Sequence, residues 1–116
     1  MYASTLADST DQFYNWVNRC WPNGKTYSEM PITLRGEHGE IYQGYIDFLI
    51  ETEEGFVIID HKTHSSKEEQ NLKIYAANQI AQLQLYRRAV EEATGKKVLE
   101  TMIHFPVAGK IYRIAD

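Results

Sequence analysis

Two apolar segments, residues 40–51 and 56–62, flank the turn sequence Thr52-Glu53-Glu54-Gly55, and this pairing constrains the fold more than anything else in the chain. Strict alternation sends Ile46, Phe48, Val57 and Ile59 to one face and Leu49, Phe56 and Ile58 to the other. A strand that is apolar on both faces is covered on both sides. The segments therefore form a hairpin inside a layered α/β arrangement, and Gly55 can supply the positive φ that its turn asks for.

The flanking sequence supplies the layers. Residues 9–21 read as a helix, with Phe13, Trp16, Val17 and Cys20 at the spacing of one buried stripe and Ser9 with Gln12 as a capping box. Residues 27–36 read as a strand, turned by Glu37-His38-Gly39 into the first segment of the hairpin. Residues 70–94 read as one long amphipathic helix, with Leu72, Ala76, Ile80, Leu83, Tyr86 or Arg87, and Val90 stepping by three or four and Gly95 placed for a left-handed cap. Residues 97–107 form a strand parallel to the one before the helix, because strand–helix–strand crossovers join parallel neighbours, and a short last strand follows Ala108-Gly109-Lys110. The order is αβββαβ, an α/β (α+β) core with a mixed sheet flanked by helices. The 116 residues make a single domain, divided into an N-terminal helix (1–25) and a core (26–116).

Composition narrows the function. The 43% hydrophobic and 24% charged shares belong to a globular chain. One cysteine, Cys20, rules out an internal disulfide and suits a reducing cytoplasm. No apolar run spans a bilayer, and the start lacks the basic and apolar regions of a secretory signal. The net charge of −4 argues against a free-standing DNA-binding module, since phosphate neutralisation normally demands a basic excess. It does not argue against a catalytic domain whose metal site is built from carboxylates.

Those carboxylates fall in one place. A hairpin centred between Glu53 and Glu54 sets Leu49 opposite Ile58 and Asp47 opposite Asp60, with Lys62 on the face of Asp60. Like charges directly opposed are destabilising. Lys62 offers one remedy, and magnesium the better one, because it takes hard oxygen ligands and commonly uses one or two carboxylates together with substrate phosphate. The backbone carbonyl of His61 could add a ligand. If the first hairpin is centred on His38, Glu29 lies opposite Asp47 and three carboxylates form a row, although a one-residue slip would send Glu29 to the other face. Such a site suits cleavage of a phosphate ester, with the cation acidifying water and Lys62 orienting it or countering the charge that develops on phosphorus-bound oxygen. Gln82 and Tyr86, four apart on the long helix, share a face. Gln82 either hydrogen-bonds a metal ligand or phosphate, or is a boundary glutamine beside a packed tyrosine.

Taken together, Gly44-x-x-Asp47, Ile59-Asp60-His61-Lys62-Thr63 and Gln82-x-x-x-Tyr86, with Glu29-Met30-Pro31 ahead of them, resemble the PD-(D/E)XK nuclease superfamily. More narrowly they resemble the C-terminal nuclease domains of RecB- and AddA-type (UvrD/Rep-like) helicase-nucleases, over about Tyr27 to Ile114. The resemblance implies a restriction-endonuclease-like fold, Asp47 and Asp60 as metal ligands, Lys62 as catalytic, and Gln82 and Tyr86 as supporting residues near DNA. It implies magnesium, with manganese as a substitute, and DNA as substrate, cut by an exonuclease rather than an endonuclease. It also implies a bacterial cytoplasmic setting in double-strand break repair and recombination, helicase domains in the same parent chain, and a partner subunit. No G-x-x-x-x-G-K loop occurs, so this chain holds no ATP site. These families usually place a further histidine ligand on a helix before the first strand. The first histidine here is His38, in a turn, which implies a piece that begins after that helix or a variant without the ligand.

Other chemistries fit less well. A zinc site from His61-x-x-His64 and His104 would need three or four convergent ligands, and His61 on a strand points away from Asp60. A glycosidase also pairs carboxylates, but Asp60-x-Lys62 on a small hairpin sheet does not suggest a sugar cleft. The alternative of a different class is a non-catalytic domain that keeps the nuclease fold for DNA guiding or subunit contact.

Overall fold

The computed structural model describes residues 2–5, 10–62 and 69–114. In chain order the elements are β1 (Tyr2–Thr5), α1 (Thr10–Cys20), β2 (Lys25–Arg35), β3 (Ile41–Glu51), β4 (Phe56–His61), α2 (Glu69–Ala77), α3 (Ile80–Thr94), β5 (Val98–Phe105) and β6 (Lys110–Ile114). The six strands form one sheet in the order β1-β6-β5-β4-β3-β2. β4 and β5 are parallel, as the crossover through α2 and α3 requires, and every other pair is antiparallel. The fold is the mixed, helix-flanked α+β core expected from the sequence, with β1 as an additional edge strand beside β6. Ser9, Thr63, His64 and the rest of the polar loop before α2 lie outside the described residues.

The two hairpin turns form where their residues dictate. Thr52 closes the tighter one: its N–H donates to the Gly55 carbonyl at 2.8 Å, and its Oγ1 accepts from the N–H groups of Glu54 and Gly55. Gly55 takes φ +155, and a Cβ there would run into the backbone carbonyl of Lys97, which leaves no room for a side chain. That turn fixes the register, and Leu49 pairs with Ile58 as expected.

Both faces of the sheet are covered. On one, Phe13 and Val17 of α1 pack on Phe48, Ile50, Val57, Ile59, Met102 and Ile111. On the other, Leu72 and Ala76 of α2 and Leu83, Tyr86 and Val90 of α3 pack on Leu49, Ile58, Ile103, Phe105 and Tyr112. Ile58 and Ile59 are fully buried on opposite faces. Each such side chain contributes roughly 1.5–3 kcal/mol relative to its exposed state. Cys20, at the end of the α1 stripe, is exposed.

Besides Cys20, which its spacing assigns to the buried stripe, two expectations are corrected. The helix over residues 70–94 is broken at Asn78 and Gln79. The Asn78 N–H is shared between the carbonyls of Ile74 and Tyr75, and the Gln79 N–H bonds the carbonyl of Ala76 three residues back. This tightening ends α2 and lets α3 start in a new phase. Gly95 does cap α3, at φ +72 with its N–H on the Glu91 carbonyl.

The second correction concerns Ile46, which packs with Leu49 and Ile58 under the helices rather than with Phe48. The β2–β3 ladder pairs Ser28 with Phe48 and then Met30 with Ile46, passing over Glu29 and Asp47. Glu29 has φ +50, a left-handed conformation uncommon outside glycine. One residue in each strand thus drops out of the alternation and both strands change face together. Asp47 sits at that break.

Candidate active site

Asp60 occupies the end of β4, a strand whose preceding four residues are all buried, and is itself 4% exposed. Pairing with β3 stops at Phe48–Ile59, so the next positions in line, Asp47 and Asp60, meet through side chains instead. The Asp47 Oδ2 accepts the His61 N–H at 2.9 Å, serving as that amide's partner in place of a strand carbonyl. Burial, and then the Asp47 carboxyl hydrogen-bonded beside it, push the Asp60 carboxyl up to about 6 against the pull of Lys62.

Lys62 follows β4 directly, and its N–H bonds the carbonyl of His104 at 2.9 Å. Its Nζ stands 3.0 Å from Asp60 Oδ2. The ammonium pulls the Asp60 carboxyl down by charge and hydrogen bonding, and that buried oxygen has no other partner among the described residues. Burial draws the Lys62 ammonium down, and Asp60, Tyr75 and Asp47 outweigh it and leave it raised. Lys62 is therefore a cation at neutral pH.

α3 brings Gln82 and Tyr86 to the same end of the sheet. The Gln82 Nε2 donates to the Tyr86 hydroxyl at 2.8 Å, so the glutamine holds the tyrosine. Burial, followed by the charge of Asp60, raises the Tyr86 phenol, so it stays protonated at neutral pH. Its hydroxyl lies over Gly44, where an added Cβ would sit 3.5 Å away. A cavity of about 340 Å³ opens beside this pair, lined in part by Ile32, Tyr42, Gln82 and Tyr86.

Glu29 is not brought into the row. It holds its register position, but its left-handed backbone interrupts the ladder there, and it is exposed. Among the described residues no group of three or more His, Cys, Asp or Glu side chains could hold a metal ion. The donors that remain are two adjoining carboxylates, one carrying a buried oxygen with the Lys62 ammonium beside it. That set fits magnesium, which completes its shell with water and substrate oxygen, and not zinc.

His61 and His104 belong to the opposite face. Their Nδ1 atoms are 2.9 Å apart, and the Phe13 ring of α1 stacks on His104 with centroids 4.6 Å apart. Two imidazoles bonded to each other beneath a phenyl ring do not converge on a cation. No spacing singles out Tyr75, and the sequence offers His104 only as a zinc ligand. Tyr75 of α2 acts electrostatically on Lys62. His104 reaches His61 across 43 residues of sequence, a separation at which no periodicity carries a signal.

Residues 25–115, from the start of β2 through β6, match the family model of the PD-(D/E)XK nuclease superfamily. The chain belongs to this superfamily. It is similar to the A-type subunit of the ATP-dependent helicase/nuclease of Carboxydothermus hydrogenoformans, at 43% identity over 68% of this chain and 8% of the relative. It is similar also to the proteins of that description from Thermoanaerobacter sp. (36% identity, 73% of this chain, 7% of the relative) and Clostridium novyi (35%, 67% and 6%). The chain thus spans less than a tenth of the length of these relatives. The superfamily match covers every residue of the carboxylate–lysine site and excludes α1, the helix on the far face of the sheet. No helix among the described residues is long and apolar enough to cross a membrane.

Proposed function

We propose that this domain hydrolyses DNA phosphodiesters with a magnesium ion held by Asp47 and Asp60, as the nuclease module of a helicase-nuclease acting in double-strand break repair and recombination. The observation that carries the reading is the pairing of the half-buried Asp47 with the buried Asp60 at a strand end, with the Lys62 ammonium 3.0 Å from Asp60. Similarity to helicase/nuclease proteins supports the setting: the motor domains of the parent chain and a partner subunit supply the DNA grip that a net charge of −4 does not.

Bound there, the ion supplies the positive charge that two abutting carboxylates lack and the Lewis acidity that phosphate hydrolysis uses. The chain's own residues do the rest. Asp60, raised to about 6, is mostly ionised at neutral pH and would hold the ion in that form. Lys62, kept charged, donates hydrogen bonds to oxygens that gain negative charge as the phosphorus–oxygen bond breaks, and it is no general base. Gln82 and Tyr86 wall the site on the helix side and present neutral donors to phosphate. Manganese is expected to substitute, and attack from a DNA end to dominate.

The test is degradation of end-labelled single- and double-stranded DNA with and without magnesium, with Asp60→Ala alongside. Cleavage lost in the variant supports the reading; equal cleavage by the two overturns it. The non-catalytic alternative draws on the absence of a third ligand side chain among the described residues. It predicts DNA binding without cleavage when the same residues are tested in the full-length parent.

A further inference from the structure

The face of the sheet opposite the carboxylates carries a second constellation. His61 and His104 stand opposite each other in the parallel β4–β5 ladder, joined through Nδ1 at 2.9 Å. His104 is 5% exposed. Phe13 stacks on its ring at 14° and meets His61 edge-on with centroids 4.9 Å apart. Burial lowers both imidazoles, and His61 adds to the fall of His104 to about 4. Both are neutral at neutral pH, so one ring donates its Nδ1–H and the other accepts.

The position of His61 gives this pair its consequence. It lies between Asp60 and Lys62, and alternation sends its ring to one face and their side chains to the other. Its own N–H holds the Asp47 carboxylate. Pairing to β3 has ended at Ile59, so on that side the strand end is held by the Asp47 bond, and on the other by β5. We infer that His104 is a positioning residue for the site: its imidazole, backed by Phe13, anchors His61 and thereby sets the Asp60–Lys62 pair and the amide that orients Asp47.

The inference rests on the proposed function only for its activity readout. His104→Phe keeps a ring of similar size under Phe13 and removes the hydrogen bond. His104→Asn returns a polar atom near the position of Nδ1. Three quantities are measured on this chain: amide hydrogen exchange by NMR, Mn2+ binding by electron paramagnetic resonance, and DNA cleavage. In His104→Phe the His61 and Lys62 amides are expected to exchange at least about 10-fold faster, with Val57 and Ile58 unchanged. Mn2+ affinity and kcat should each fall about 10-fold at unaltered KM for DNA, and His104→Asn should regain most of the loss. Unchanged exchange at His61 overturns the inference. If the wild-type chain neither cleaves DNA nor binds Mn2+, the functional reading fails while the exchange measurement still decides this one. Should His104→Phe not fold, Phe13→Leu removes the stacked ring and is read by the same exchange experiment, with unchanged His61 exchange again the overturning result.

Discussion

The Lys62 ammonium stands 3.0 Å from a buried oxygen of Asp60, while the Asp47 carboxyl crowds the same group. Attraction at ion-pair distance does not outweigh burial and a second carboxylate, so Asp60 holds its proton up to about 6. A site that disfavours its own ionised form is one that a cation stabilises.

Removing that charge should stabilise the metal-free protein. Asp60→Asn is expected to raise unfolding free energy at pH 7.5 by about 1–3 kcal/mol, the scale set by the rise of the carboxyl from 3.8 to about 6. Magnesium should raise the Tm of the wild type and leave the variant unmoved. Calorimetry with magnesium and with EDTA checks both, and a variant less stable than the wild type in EDTA would refute the account.

Lys62→Met should separate the cation's role from folding. The side chain is about one-quarter exposed, and Asp60 can take up a proton once the cation is gone, so the fold survives the change. Cleavage should fall roughly 10²–10³-fold, the usual effect of deleting one charge-stabilising donor. Losing the cation should also move the acid limb of the cleavage profile to higher pH, because nothing then draws Asp60 down. A rate within twofold of wild type would remove Lys62 from the mechanism.

Acid acts on the two faces in opposite directions. Asp60 is raised, so its contribution to stability is present at low pH and lost as pH climbs through about 6. His104 is depressed, so its contribution is present above 6.5 and lost as pH falls toward about 4. Between these values the two oppose each other, and the wild type should show a shallow dependence. Asp60→Asn leaves the histidine effect alone and should lose stability steadily from pH 6.5 to 4.5. Urea midpoints at three pH values in that interval decide it, and parallel profiles for the two proteins would contradict the assignment.

Gly44 tests the approach of the Tyr86 hydroxyl. A Cβ at this position makes ordinary contact with that oxygen at 3.5 Å, so Gly44→Ala should leave Tm and cleavage close to wild type. Gly44→Val adds two methyl groups where the ring lies and should displace Tyr86, lowering cleavage at least about tenfold and stability by about 1–3 kcal/mol. Equal behaviour of the two variants would show that the contact is incidental.

The order of the elements, the turns at Gly39 and Gly55, the cap at Gly95 and the register that aligns Asp47 with Asp60 follow from the sequence, because each depends on residues a few positions apart. Short-range signals also placed Lys62 on the face of Asp60 and Gln82 on the face of Tyr86. The tertiary structure decided what local preference leaves free. Ile46 changes face because Glu29 and Asp47, on different strands, drop out of alternation together. That same break keeps Glu29 from a three-carboxylate row. The helix divides at Asn78–Gln79, where the backbone tightens to bonds three residues back, so that Leu72 and Ala76 before the break and Leu83, Tyr86 and Val90 after it all reach one core cluster. His104 joins His61 only once a parallel crossover has closed 43 residues of chain. Periodicity records which face a residue takes relative to its neighbours in sequence; which residue waits on that face is fixed by packing between strands that the sequence keeps far apart.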